Sequence, residues 1–254
     1  MEGRRVFLSL SGGVDSTTLY AFLTAQKAVV TPVFFRYPSR HNDMERASAE
    51  RVAARYCGNA GAYCGGAARR GTEVLPAGAE ENRNMPPVQV DLSEVFSGLR
   101  SSLLRGGPPL PEGEYSEENL GQTVVPGRNA VFLAVLAARA ESAEGGKNYV
   151  AIGVHGGDHA VYPDCRPEFI EAMRRTIHLS SQGKVELLAP FAGMSKAEVV
   201  RLGLELGVPY ALTKSCYAGG NAPCRVCPTC RAREEAFAAN GVIDPLLQGQ
   251  GNAD

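Results

Sequence analysis

Short apolar runs alternate along this chain with longer stretches in which apolar residues recur at helical spacing. Strand signals fall at Val6–Leu10, Val29–Phe35, Val88–Val90, Tyr149–Val154 and Val185–Leu188. Helix signals fall between and beyond them, at Thr17–Gln26, Asp43–Tyr56, Ser93–Leu104, Asn129–Ala143, Glu168–Leu179 and Lys196–Gly207. Such alternation predicts an α/β fold, a doubly wound parallel sheet with helices on both faces. In such sheets ligands gather beyond the carboxyl ends of the strands. Asp43 and Glu45 occupy the first turn of the second helix, where acidic groups suit the helix dipole. Ser195-Lys196-Ala197-Glu198 reads as a capping box.

Two segments break the pattern. Residues 57–87 are rich in Gly, Ala, Arg, Glu and Pro and read as an insertion, with Cys57 and Cys64 as candidate metal ligands that lack a second pair. Residues 105–121 read as a lid or ordered loop. The expected organisation is a nucleotide-binding domain over 1–212, a cysteine-rich region with a helix over 213–241, and a weakly structured tail over 242–254.

The first strand runs into Ser11-Gly12-Gly13-Val14-Asp15-Ser16, and a helix follows. A strand, a Gly-rich turn and a helix start make an anion site, because N–H groups there have no intrahelical partner. Gly12 and Gly13 permit close approach to a phosphate. Ser11 and Ser16 add hydroxyls, and Asp15 is a candidate magnesium ligand. No Lys follows the glycines, so this is not a Walker A loop.

Cys216, Cys224, Cys227 and Cys230 form a C-x7-C-x2-C-x2-C pattern. Two C-x2-C turns suit tetrahedral zinc, and four thiolates close the coordination sphere, which predicts a structural role. A disulfide framework is the alternative; no secretory leader supports it.

With 254 residues and 44% hydrophobic content the chain can bury a core, and its net charge of −1 gives no basic footprint for nucleic acid. No apolar run is long enough for a bilayer. The expectation is a cytoplasmic enzyme.

Three more runs narrow the chemistry. Val125-Pro126-Gly127-Arg128-Asn129 places Arg128 at a helix start, where its planar fork could pair with a phosphate, and Asn129 where it could cap the helix. The stretch from Gly153 to Glu168, containing Asp158, Tyr162, Asp164, Cys165 and Arg166, follows a strand and so lies at the ligand edge. Asp164 there is either a carboxylate reading a guanine-like edge or an N-cap for the helix at Pro167. Lys196 at a helix N-terminus opposes the dipole and suggests an anion partner, a polyphosphate.

The S-G-G-x-D-S loop resembles the pyrophosphate loop of the N-type ATP pyrophosphatases. Together with P-G-R-N, Y-P-D-C-R, P-F-x-x-M-S-K-A-E-V and the four-cysteine pattern, in this order, the chain resembles the QueC family of 7-cyano-7-deazaguanine synthases from about Arg5 to Asn240. The resemblance implies ATP-dependent conversion of a 7-carboxy-7-deazaguanine and free ammonia to the nitrile, with Mg²⁺ and Zn²⁺. It implies ATP and pyrophosphate binding by Leu10 to Thr17, catalytic roles for Asp15, Ser16, Arg128 and Lys196, and substrate contacts from Arg128, Asn129, Asp158, Tyr162, Asp164 and Arg166. It also implies zinc ligation by Cys216, Cys224, Cys227 and Cys230, no nucleic-acid or membrane partner, and a homodimer as a common family state. Arg36 to His41 reads R-Y-P-S-R-H where the family usually reads D-Y-G-Q-R-H, and Val161 replaces a Gly. These departures leave open a relative that adenylates the same acid and passes it to another amine, and a tRNA-modifying pyrophosphatase of the same superfamily is a further alternative.

Overall fold

The structure is a computed structural model; it describes residues 1–57, 86–111, 121–158, 162–220 and 222–248. Nearly all of the expected insertion, with Cys64 and the Cys57 side chain, lies outside the described residues, as does part of the 105–121 loop. The elements are β1 (Arg5–Ser9), α1 (Val14–Ala25), β2 (Val29–Arg36), α2 (Asn42–Cys57), β3 (Val88–Asp91), α3 (Arg128–Ser142), β4 (Asn148–Ala151), α4 (Pro167–Ser180), β5 (Val185–Leu188), α5 (Lys196–Glu205), α6 (Pro228–Ala238) and α7 (Pro245–Gln248).

The five strands lie in the order β3-β2-β1-β4-β5, all parallel. The chain therefore starts at the centre, builds outward to β3, and returns to the other side of β1. The reversal between β1 and β4 is a topological switch point, where doubly wound sheets bind their ligands. Strand alternation divides the core. Val6, Leu8, Val30 and Phe34 face Leu19, Leu23, Val52 and Val199 of α1, α2 and α5. Phe7, Val33, Phe35 and Val150 face Phe132, Leu133, Leu136 and Ile170 of α3 and α4. Both faces are covered, which explains why the strands read as unbroken apolar runs.

Two expectations are corrected. The segment 93–104 is not a helix. Asp91 Oδ1 accepts the Ser93 N–H (2.9 Å) in an Asx-type turn, and Gly98 takes φ +72°. The segment then lies against residues 38–40, where Arg40 donates to the Ser102 carbonyl (2.9 Å) and its N–H to Leu103 O (2.9 Å). Serines and glycines that hydrogen-bond locally outcompete a weak helical period here.

Nor is the chain slack over 242–248. Asp244 is 4% exposed, and its two oxygens accept from Arg233 Nε (2.6 Å) and Nη2 (2.8 Å). Arg233 also donates to Thr213 Oγ1 (2.8 Å) and Tyr210 O (3.1 Å), so one buried guanidinium ties α6 and the tail to the turn at 210–213. Asp244→Ala strands that charge and is expected to cost about 3–5 kcal/mol. Urea denaturation checks this, and the Arg233→Met/Asp244→Leu double variant should recover much of the loss.

Candidate active site

The loop after β1 enters α1 earlier than its sequence suggests. Gly13 is the N-cap, and the first helical bond runs from Thr17 N–H to Gly13 O (3.1 Å). Val14, Asp15 and Ser16 thus form the first turn, whose N–H groups precede that ladder. Gly12 has φ +76°, and a Cβ on it would lie 2.4 Å from Ala49 N in α2. Its carbonyl accepts from Ser48 Oγ (2.8 Å) and from Lys214 N–H (3.1 Å). Ser11 Oγ accepts from Gly13 N–H (3.3 Å) and stands 3.2 Å from Ser16 Oγ.

A cavity of about 310 Å³ opens at this loop. Its walls come from the carboxyl ends of β1, β2 and β4 and from α2, α3 and α5. At the loop end Lys196 Nζ donates to Asp15 Oδ2 (2.8 Å), so the anion partner expected for Lys196 includes a protein carboxylate. His155 Nε2 stands 3.9 Å from that oxygen and 3.5 Å from Asp158 Oδ1. The Gly157 N–H donates to His155 Nδ1 (3.1 Å), and Lys196 Nζ lies 3.4 Å from His155 Nε2. Burial works to raise the Asp15 pKa, but Lys196 and then His155 overcome it and hold the carboxyl below its ordinary value. Asp15 Oδ1 is buried and has no hydrogen-bond partner among the described residues. A buried oxygen of an ionised carboxyl, without a hydrogen-bond partner and within an anion loop, fits a cation ligand.

The far end is aromatic. Tyr37, Phe132, Tyr162 and Tyr217 line it with Arg128 and Glu45. Phe132 stacks on Phe35 at 4.1 Å between centroids, and Arg128 lies 5.8 Å over the Tyr162 ring. The Tyr162 and Tyr217 hydroxyls are 2.9 Å apart. Burial pushes the Glu45 carboxyl up to about 8, with Arg128 pulling it back. Burial likewise pushes His41 down to about 4, helped by Arg128.

The expected residues divide. Ser11, Gly13, Val14, Asp15, Ser16, Leu10, Arg128, Asn129, Asp158, Tyr162 and Lys196 line the cavity. Gly12 and Thr17 shape the loop from behind. Asn129 is not the helix cap; Gly127, at φ +64°, precedes α3. Instead the Asn129 amide donates to Asp164 O (3.1 Å) and Cys165 Sγ (3.2 Å). Asp164 lies outside the cavity lining and does not cap its own helix: its Oδ2 accepts the Asn129 N–H (3.0 Å), so it caps the first turn of α3. Arg166 is exposed at the start of α4, away from the cavity. Sequence reasoning missed Glu45, taken there as a dipole partner, and gave no role to His155, Tyr37, Phe132 or Tyr217.

Beside the aromatic end the sulfurs of Cys216, Cys224, Cys227 and Cys230 converge within 4.8 Å of one another, all unpaired by disulfide. The Cys227 N–H donates to Cys224 Sγ and the Cys224 N–H to Cys216 Sγ, each at 3.4 Å. Arg225, at φ +64°, makes the intervening turn. Four converging sulfurs supported by N–H donors fit a tetrahedral metal.

A parallel sheet with this loop and cavity at its switch point defines a nucleotide-binding enzyme of the pyrophosphate-loop type. The family model described as queuosine biosynthesis protein QueC matches residues 5–241, and the chain belongs to that family. It is 38% identical to 7-cyano-7-deazaguanine synthase of Archaeoglobus fulgidus, over 97% of this chain and 91% of that one. It is 37% identical to the enzyme of that name from Caldicellulosiruptor saccharolyticus (95% and 94%) and 38% identical to that from Marinobacter nauticus (95% and 96%). Among solved structures, NMN synthetase from Francisella tularensis aligns with a TM-score of 0.45 at 14% identity, over 95% of this chain and 78% of that one. Among the described residues no helix is long and apolar enough to cross a membrane.

Glu45 sets a pH dependence. Its folded pKa of about 8 lies above the unfolded value near 4.5, so folding binds a proton between them. This contribution to stability is therefore full below about pH 4.5 and is lost progressively as pH rises toward 8. His41, Arg128 and Tyr37 are the groups that face it. Glu45→Gln removes that penalty, so its gain in melting temperature over wild type should be larger at pH 8 than at pH 5, by calorimetry at both.

Proposed function

We propose that this chain makes 7-cyano-7-deazaguanine from 7-carboxy-7-deazaguanine, ammonia and ATP. The observation that carries the reading is one cavity with a pyrophosphate-type loop at one end and a flat aromatic end beside Arg128 at the other. The substrate carboxylate attacks the α-phosphate of ATP, and pyrophosphate leaves. Ammonia adds to the acyl carbon, AMP departs, and loss of a proton gives the amide. The amide oxygen then attacks a second α-phosphate, pyrophosphate leaves again, and departure of AMP with two N–H protons gives the nitrile.

The loop N–H groups of α1, with the Ser11 and Ser16 hydroxyls, would hold charge that builds on pyrophosphate. Lys196 carries positive charge at the same end. Arg128 supplies a second, partly buried cation for the carboxylate and then for the phosphoryl group. Asp15, through its unpartnered Oδ1, would hold Mg²⁺, which when bound neutralises phosphate charge. The four cysteines would hold Zn²⁺ in a closed structural site.

Mass spectrometry of purified protein with 7-carboxy-7-deazaguanine, Mg-ATP and ammonium tests the reading. Nitrile and AMP are expected. Adenylate or amide without nitrile points to another acceptor, and no AMP overturns the proposal. Asp15→Asn and Lys196→Ala should each lower AMP formation by at least about 100-fold with cysteine-bound metal retained. Cys227→Ser should lose metal and thermal stability together, by elemental analysis and calorimetry.

A further inference from the structure

Three carboxylates line the cavity, and two are engaged. Asp15 is held by Lys196, and Asp158 Oδ2 accepts the His155 N–H at 3.3 Å. Glu45 differs. Among the described residues nothing hydrogen-bonds its carboxyl; His41 Nε2 stands 3.7 Å away, and the side chain is 19% exposed. His41, Arg128 and Tyr37 face it, and Phe132, Tyr162 and Tyr217 line the same cavity. A carboxyl kept from water without donors is costly unless a ligand supplies them.

The donor pattern that fits is narrow. Ligand donors that favour the ionised form would leave Glu45 a carboxylate with two coplanar acceptor oxygens, which match two parallel N–H groups on one edge of a planar group. A flat heterocycle carrying a ring N–H beside an exocyclic amine presents that edge, and aromatic walls suit its faces. We propose that Glu45 is the specificity-determining residue that reads the ring N–H and 2-amino edge of the 7-deazaguanine substrate. The inference rests on the substrate proposed above. It reassigns to α2 a role for which the sequence offered Asp164, whose carboxylate caps α3 instead.

The test is calorimetric titration of metal-loaded wild type and Glu45→Gln with 7-carboxy-7-deazaguanine and with its analogue lacking the 2-amino group. Wild type should prefer the 2-amino compound by about 10- to 100-fold, the range of a good bidentate pair. Glu45→Gln replaces one acceptor by a donor and should lose most of that preference while keeping ATP affinity and its raised melting temperature. An unchanged preference in Glu45→Gln overturns the inference and leaves the substrate assignment standing. So does a variant that loses turnover rate with affinity and preference intact, which would make Glu45 a proton-transfer group. A wild type that binds neither compound overturns both readings.

Discussion

The carbonyl of Gly12 is the point on which the site depends. It accepts from Ser48 in α2 and from the Lys214 N–H that leads to the cysteines. Ser48 Oγ also reaches Leu212 O at 2.6 Å. A phosphate loop, a helix and the approach to a thiolate cluster are thus joined within one turn of backbone. Only glycine fits there: φ is +76°, and a Cβ would strike the backbone of α2. Because α2 cannot retreat without breaking the core at Ala49 and Val52, the loop is held open toward the ligand rather than collapsed on itself.

Around that junction two carboxyls are driven in opposite directions. Asp15 sits among cations and stays ionised; Glu45 sits among rings and is pushed toward neutrality. Coulombic attraction outweighs desolvation at the first, and desolvation outweighs Arg128 at the second. One end of the cavity therefore carries a fixed ionised carboxyl among cations, and the other a carboxyl beside rings that burial favours uncharged, which suits the polyphosphate and the flat base proposed above. A carboxylate-bearing base would bring its negative group toward Arg128, between the two regimes. Stability is given up at Glu45 for this, since an uncharged side chain would sit there more comfortably.

Much of this was legible in the chain because it depends on local pattern. The five strands, the loop, the capping box at Ser195, confirmed by the Glu198 N–H donating to Ser195 Oγ (3.3 Å), and the cysteine spacing each lie within a few residues. The failures share a cause. The turns at 93–104 exist because Arg40 draws their carbonyls across from another segment, and the tail is ordered by an ion pair between α6 and residue 244. Asp164 caps α3 rather than its own helix, and Glu45 lines the cavity, because each carboxylate is aimed by its neighbours in space. Asp164 is a good cap in sequence but finds the start of α3, and Glu45 looks like a dipole partner but points into the cavity.

The cysteine cluster belongs to the same argument although it lies off the chemistry. Its packing consists of the cysteines and Tyr217, too little apolar surface to hold residues 213–230 by burial alone. Tyr217 follows Cys216 directly, touches the Tyr162 hydroxyl and lies 5.5 Å ring to ring from His41. Thus the segment 214–217 is pinned at one end by the Gly12 carbonyl and at the other by the thiolates, with the cavity wall between. A metal held by four thiolates, as proposed, would fix that wall without offering an open coordination position to substrate. Binding free energy at the cluster would then be spent on the position of Tyr217 and, through Tyr162, on the aromatic wall of the cavity.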